Sequence, residues 1–203
     1  MLARSGLLTC IAAIAVLGFF APPGVPPAEA APITFTFAGT GSGDVDGTPF
    51  SQAAFVITAN ANTANIVQGG GLFNLDSNSA TIRITGIGTG TFLIATRVFD
   101  SQGLSVLGFS RAPSGIDLMD FDHPAFATYD LTTSLGPLLV GIPFALDEFD
   151  AVSTTLGDVT FDAAEGVTFT ATAQAIGAVP EPSTLVLLGA GLAALGLLRR
   201  RKS

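Results

Sequence analysis

The chain has 203 residues, and 48% of them are hydrophobic. Between residues 31 and 178 there are three arginines, no lysine and fourteen acidic residues, which gives a net charge of −11. This charge argues against nucleic-acid binding, because phosphate contacts need Lys and Arg to release counterions. The only cysteine, Cys10, lies outside this region. The domain must therefore be stabilised by a hydrophobic core rather than by disulfides.

The first thirty residues have the three parts of a secretory signal peptide. Arg4 supplies a positive charge, residues 7–20 are continuously apolar, and a small-x-small pattern ends at Ala30. We therefore predict cleavage by signal peptidase between Ala30 and Ala31. Residues 31–178 would then be a single exported domain, since 148 residues are a typical size for one hydrophobic core.

Apolar and polar residues alternate repeatedly through residues 31–178, which is the period-two pattern of half-buried antiparallel strands. The clearest strands cover residues 33–38 and 167–175, where phenylalanines alternate with threonines. Turn residues, mostly glycine, separate the predicted strands. The remaining predicted strands cover 50–58, 80–85, 91–99, 104–109, 125–131, 138–142, 151–155 and 159–161. The sequence thus predicts an all-β fold, an antiparallel jelly-roll-like β-sandwich, followed by a C-terminal transmembrane helix.

The C-terminal segment, residues 179–203, has a proline motif, an apolar run and a basic cluster. The prolines hold residues 179–183 extended. The apolar run at 184–198 would form a helix of about 23 Å, shorter than a bilayer core of about 30 Å, so we expect a transient anchor. The cations mark the cytoplasmic side. The motif residues are Val179, Pro180, Glu181, Pro182 and Ser183, and the basic stop comprises Arg199, Arg200, Arg201 and Lys202.

This arrangement resembles the PEP-CTERM sorting signal. The resemblance implies recognition by an exosortase, with Glu181 as the recognition handle. It also implies export through the inner membrane, transient anchoring, and final residence at the cell surface or in the extracellular matrix. A permanent single-span anchor after a proline linker is the alternative. Similar tails are also described as ice-binding-protein C-terminal domains, a label that carries no physical statement about freezing.

Residue types that perform catalysis are scarce in the predicted domain, so we expect a protein that is not an enzyme. It has one histidine, one tyrosine, and neither cysteine nor lysine. His123 follows Asp120 and Asp122 and precedes Pro124. This group could bind a metal or transfer protons, but a solvated acidic loop is the simpler interpretation.

Calcium is the candidate cofactor, because oxygen-rich acidic loops bind it outside the cell, where weak sites suffice. None of the acidic clusters completes a known calcium-loop pattern. The candidate ligands are Asp44, Asp46, Asp120, Asp122, Asp147 and Asp150.

The sequence predicts an exported envelope or matrix protein of unknown biochemical activity, associated with exopolysaccharide or biofilm. A surface polysaccharide-binding module, which could use calcium for binding, is the alternative. Sugar platforms usually present Trp or Tyr, and only Tyr129 is available here. Threonines 168, 170 and 172 invite an ice-binding hypothesis, but no repeat of fixed period exists, and strand alternation explains them.

Overall fold

The computed structural model describes residues 30–141 and 151–174. Within these ranges the chain forms two antiparallel sheets. In chain order the strands are β1 (Pro32–Val45), β2 (Thr48–Asn62), β3 (Val67–Gly69), β4 (Leu72–Asp76), β5 (Ser79–Ile84), β6 (Gly88–Thr91), β7 (Thr96–Ser101), β8 (Val106–Arg111), β9 (Ile116–Asp122), β10 (Leu135–Leu139), β11 (Val152–Thr154) and β12 (Gly157–Ala173). Short 3₁₀ turns cover Thr63–Asn65 and Pro124–Thr128.

Sheet A has seven strands in the order β10-β12-β1-β2-β5-β6, with β11 also paired to β12. Sheet B has five strands in the order β3-β4-β7-β8-β9. The chain passes from one sheet to the other after β2, β4, β6 and β9. The predicted all-β sandwich is therefore confirmed, whereas its finer jelly-roll form stays a prediction.

The core lies between the sheets and is built from the inward residues of the alternating strands. Phe35 and Phe37 of β1 are fully buried, and so is Phe169 of β12. The Phe169 ring centroid lies 5.3 Å from that of Phe37 and 5.5 Å from that of Phe126. Edge and tilted ring contacts of this kind stabilise a core beyond the area that they bury. The Phe37 ring centroid also lies 6.2 Å from that of Phe109 in β8 and 6.0 Å from that of Phe121 in β9, so phenylalanine connects the two sheets.

Strand β12 joins two predicted strands into one. Residues 159–161 and 167–175 were expected to be separate, but β12 pairs with β1 from Val159 to Ala173. Irregularities in the register at Ala38 and Ser42 of β1 absorb the extra residues. Such bulges bend a strand without ending it.

Two segments around His123 differ from the prediction. Residues 125–131, predicted as a strand, form a 3₁₀ turn over Pro124–Thr128 followed by a loop. Pro124 occupies its first turn, and the His123 side chain accepts a hydrogen bond from the backbone N–H of Ala125. The preceding acidic segment, expected to be a loop, is strand β9.

Strand β9 forms because apolar side chains alternate with its carboxylates. Met119 and Phe121 are fully buried, whereas Asp120 is half-buried and Asp122 is exposed. The acidic residues thus decorate the outer face of an ordinary strand. The acidic-loop interpretation was wrong because it weighed charge and ignored this alternation.

The predicted transmembrane helix at 184–198 lies outside the described residues. Over residues 30–141 and 151–174, no helix is long and apolar enough to span a bilayer.

Candidate functional site

A groove of about 400 Å³ runs along the outer face of sheet B. Its floor comes from β4 and β7, and its walls come from the turns at the two ends of β8. Leu104, 73% exposed, stands in the β7–β8 turn. The β8–β9 turn contributes Pro113, Ser114 and Gly115. The full lining comprises Leu72, Asn74, Arg97, Phe99, Ser101, Leu104, Pro113, Ser114, Gly115 and Asp117.

Phe99 forms part of the groove floor because its neighbour on β8 has no side chain. Phe99 pairs with Gly108, and a Cβ on residue 108 would lie 2.5 Å from the Phe99 ring. The ring is only 8% exposed but lies outside the core cluster between the sheets. It therefore packs against bare backbone on the outer face of sheet B.

Polar and charged side chains surround this ring. Arg97 Nε lies 2.9 Å from Asp76 Oδ1, an ion pair at the β4–β7 edge of the groove. Asn74 is the cross-strand partner of Phe99 on β4. A groove with apolar walls and a few fixed polar groups is the usual form of a small-ligand site.

The opposite, inner face of sheet B holds a buried carboxyl group, Asp100. Its cross-strand partners are Phe73 and Leu107, neither of which offers a side-chain hydrogen-bond donor. Asp100 is 0% exposed, and within the described part of the chain neither carboxyl oxygen has a hydrogen-bond partner.

Burial, and secondarily the nearby charge of Asp130, raises the pKa of Asp100 from 3.8 to about 8. Burial also raises the pKa of Tyr129, with further contributions from Asp130 and then Asp100. The three groups therefore share one electrostatic environment, at the end of the sandwich covered by the Pro124–Thr128 turn. Sequence reasoning missed Asp100, although its spacing from Thr96 and Val98 marked an inward position.

Tyr129 is structural rather than a sugar platform. It is 5% exposed, and its hydroxyl group donates a 2.8 Å hydrogen bond to the carbonyl oxygen of Thr133. His123 is also engaged, since its Nδ1 atom caps the 3₁₀ turn by accepting from Ala125 N–H at 3.1 Å. Its ring centroid lies 5.6 Å from that of Phe126.

The structure separates the calcium candidates into different regions. Asp44 accepts a hydrogen bond from Gly47 N–H within the β1–β2 turn, and Asp46 Oδ1 accepts from Asp158 N–H at 2.8 Å. Asp120 and Asp122 lie on β9 in the other sheet. Asp147 and Asp150 fall outside the described residues. Across residues 30–141 and 151–174, no three His, Cys, Asp or Glu side chains cluster as a metal site would require.

The predicted cleavage point, between Ala30 and Ala31, lies at the start of the described residues. Ala31 donates a 2.9 Å hydrogen bond to Thr63 Oγ1 and accepts one of 3.0 Å from Thr63 N–H. Ala30 is exposed, and β1 starts at Pro32. Among the described residues, Ala31 thus makes its contacts with the sandwich on the domain side of the predicted cut.

Residues 178–202 match the family described as the PEP-CTERM protein-sorting motif. The chain carries a PEP-CTERM sorting signal. The match contains the proline motif and the basic cluster, Val179 to Ser183 and Arg199 to Lys202, which lie outside the described residues. The PEP-CTERM signal indicates an extracellular protein that is sorted by an exosortase and associates with the membrane during sorting. No curated protein and no solved structure gives a significant match to the chain.

Proposed function

We propose that the protein is a non-enzymatic component of the cell envelope or extracellular matrix, delivered to the cell surface as a folded β-sandwich. Signal peptidase would cut between Ala30 and Ala31, and the 184–198 helix would then hold the chain in the membrane. An exosortase would act at the Val179–Ser183 motif and release the domain to a matrix of exopolysaccharide or biofilm. The observation that carries the proposal is the match to the sorting motif over residues 178–202.

The charge, core and residue composition of the domain also support an extracellular location. Its net charge of −11 keeps it soluble and away from nucleic acids. The fold needs no disulfide, because its core is filled by phenylalanines such as Phe35, Phe37 and Phe169. The scarcity of nucleophiles and bases in residues 31–178 supports a structural or binding role rather than catalysis.

Processing can be tested with the full chain carrying an epitope tag after Ser203, expressed in a bacterium that has an exosortase. We expect the tag to be lost from the mature protein. Glu181→Gln removes the carboxylate of the motif and should retain at least tenfold more tagged protein. Glu165→Gln is the matched control, because Glu165 is an exposed glutamate of β12.

Equal tag loss in the Glu181 variant would contradict recognition through that carboxylate. Retention of the tag in the unaltered chain would contradict processing altogether and favour a permanent anchor.

The outer groove of sheet B favours a second candidate function, the binding of a surface polysaccharide. Its walls are apolar at Leu104 and Pro113, and its polar lining includes Asn74 and Ser101. Sugars present both C–H faces and hydroxyl groups, so this mixed lining matches their chemistry. The aromatic group of this lining is Phe99, whose ring is 8% exposed at the groove floor.

Binding to an array of neutral and acidic glycans tests this candidate with the full chain in detergent micelles. Asn74→Ala should weaken binding about tenfold, since each tenfold in affinity is about 1.4 kcal/mol, a typical value for one hydrogen bond. Asn60→Ala is the matched control, an exposed asparagine on the outer face of sheet A. Equal loss in both variants, or no glycan retained, would contradict a site in this groove.

A further inference from the structure

The carboxyl group of Asp100 is buried, and no described residue donates a hydrogen bond to it. It lies on the inner face of β7, and neither of its oxygens receives a hydrogen bond there. Burying an unpaired carboxylate costs several kcal/mol or more, so a native fold must protonate it or neutralise it with a cation. The position of Asp100, between Phe73 and Leu107, offers no side-chain donor that could share the charge.

A second carboxylate, that of Asp130, contributes a repulsive charge that helps to raise the pKa of Asp100, after the larger effect of burial. One oxygen of Asp130 accepts hydrogen bonds from Thr132, at 3.0 Å from the backbone N–H and 2.6 Å from the hydroxyl group. The Gln102 Nε2 atom donates a 2.9 Å bond to the carbonyl oxygen of Tyr129, the residue before Asp130. The bond from Gln102 to Tyr129 therefore fastens the loop that carries Asp130 to the end of β7, two residues after Asp100.

The arginines of the described residues do not neutralise this pair. Arg97 projects from the other face of β7 and pairs with Asp76. Arg83 is exposed on β5 in sheet A, and Arg111 occupies the far end of β8 from Leu107. The charge of this carboxylate pair must therefore be neutralised by a proton or by a cation that the described side chains do not supply.

We propose that Asp100 and Asp130 bind a divalent cation of the calcium class, with the amide oxygen of Gln102 as a further ligand. Hard cations prefer carboxylate, amide and carbonyl oxygens, and calcium tolerates irregular sites completed by water. Magnesium suits the site less well, since it demands near-ideal octahedral geometry. The cation fastens the loop at Asp130 to strand β7, a role in stability that is independent of the outer groove.

This site differs from the calcium candidates that acidic clustering predicts in the sequence. It uses one carboxylate from a sheet interior and one from a loop thirty residues later. Extracellular calcium modules bind with dissociation constants of about 10⁻⁴–10⁻³ M, and a site with two carboxylates belongs in that range.

Terbium luminescence tests the location, because Tyr129 is the only tyrosine and the chain has no tryptophan. Tb³⁺ replaces Ca²⁺ at oxygen sites and emits when a nearby tyrosine is excited. We expect tyrosine-sensitised emission from the full chain in detergent micelles, and displacement of that emission by calcium. Asp100→Asn and Asp130→Asn should each lower the emission at least tenfold. Asp162→Asn, an exposed carboxylate on β12, should leave it unchanged.

Melting in calcium and in EGTA tests the role in stability. Calcium at ten times its dissociation constant should raise Tm by roughly 5 °C. This difference should vanish in Asp100→Asn, and also in Asp130→Asn, whose side chain lies outside the core and whose replacement leaves packing intact. In EGTA, Asp100→Asn should melt above the unaltered chain, because the amide removes the cost of protonating the carboxylate or of burying it ionised.

Two results overturn the proposal. Identical melting curves in calcium and EGTA would mean that a proton alone neutralises Asp100. Sensitised emission that survives both the Asp100 and the Asp130 variants would place the ion elsewhere.

Discussion

The Oδ1 atom of Asp46 accepts a 2.8 Å hydrogen bond from the backbone N–H of Asp158, 112 residues later in the chain. The backbone N–H of Asp46 returns a 3.1 Å bond to the carbonyl oxygen of Asp158. The turn between β1 and β2 is thereby fastened to the start of β12. Asp46 has a φ of 49°, a left-handed conformation that Asp and Asn tolerate better than other residues with a Cβ.

Asp46→Ala should therefore destabilise the fold by about 1–2 kcal/mol, since it loses a hydrogen bond and keeps the unfavourable φ. Chemical denaturation of the full chain measures the change. Asp46→Asn retains an oxygen acceptor of the same shape and should lose less than half as much. If the alanine variant unfolds at the same denaturant concentration as the unaltered chain, the bond to Asp158 contributes nothing to stability.

Gly108→Ala should disturb the groove from beneath. The added Cβ would lie 2.5 Å from the Phe99 ring and 2.8 Å from the carbonyl oxygen of Met119, so the ring must move. Overpacking of this kind costs about 1–3 kcal/mol, measurable as a lower Tm. Gly103→Ala is the control, because a Cβ in that turn meets nothing within 4 Å. A neutral Gly108→Ala would show that the ring does not rest on this backbone.

Sequence patterning predicted the sandwich because alternation directly records which side of a strand is buried. It placed Phe35, Phe37 and Phe169 in the core, and the structure confirms these positions. The sequence contains no comparable pattern that shows which strands pair with each other or in which register. Thr36 lies beside Thr58 and Thr170 in a row across sheet A, and only the register brings them together.

The sites were harder to predict than the fold, for the same reason. Gly108 contributes to the groove because it leaves room for the Phe99 ring. Asp130 contributes to the raised pKa of Asp100. Each pair consists of residues distant in sequence that meet through strand pairing or loop packing. Acidic clustering along the chain instead singled out Asp120 and Asp122, which decorate the outer face of β9.

Phe169→Ala should be among the most damaging single substitutions. The ring contacts those of Phe35, Phe37, Phe126 and Tyr129, so truncation opens a cavity where the two sheets and the 3₁₀ turn meet. Large-to-small changes of buried phenylalanine cost about 3–5 kcal/mol. Thr170→Ala, on the outer face of the same strand, should change the free energy of unfolding by less than about 1 kcal/mol. Similar costs for both variants in denaturant titration would contradict the inward placement of Phe169.

The raised pKa of Asp100 predicts that stability in EGTA falls as pH rises. The folded group has a pKa of about 8 against 3.8 as the ordinary value, so between these limits the folded state holds a proton that the unfolded state has lost. Since the folded state binds more protons, the free energy of unfolding decreases with pH, by at most about 1.4 kcal/mol per pH unit from this one group. Stability from this source is complete below the unfolded pKa and is lost by about pH 8.

Asp100→Asn isolates this contribution, because the amide has no proton to lose over that range. Denaturant titrations of both proteins across the interval should show a steeper decline for the unaltered chain, with the two curves separating most at the alkaline end. Parallel curves would mean that Asp100 does not titrate between its ordinary value and about 8. Calcium should flatten the decline only in the unaltered chain, since a cation favours the ionised carboxylate that high pH produces.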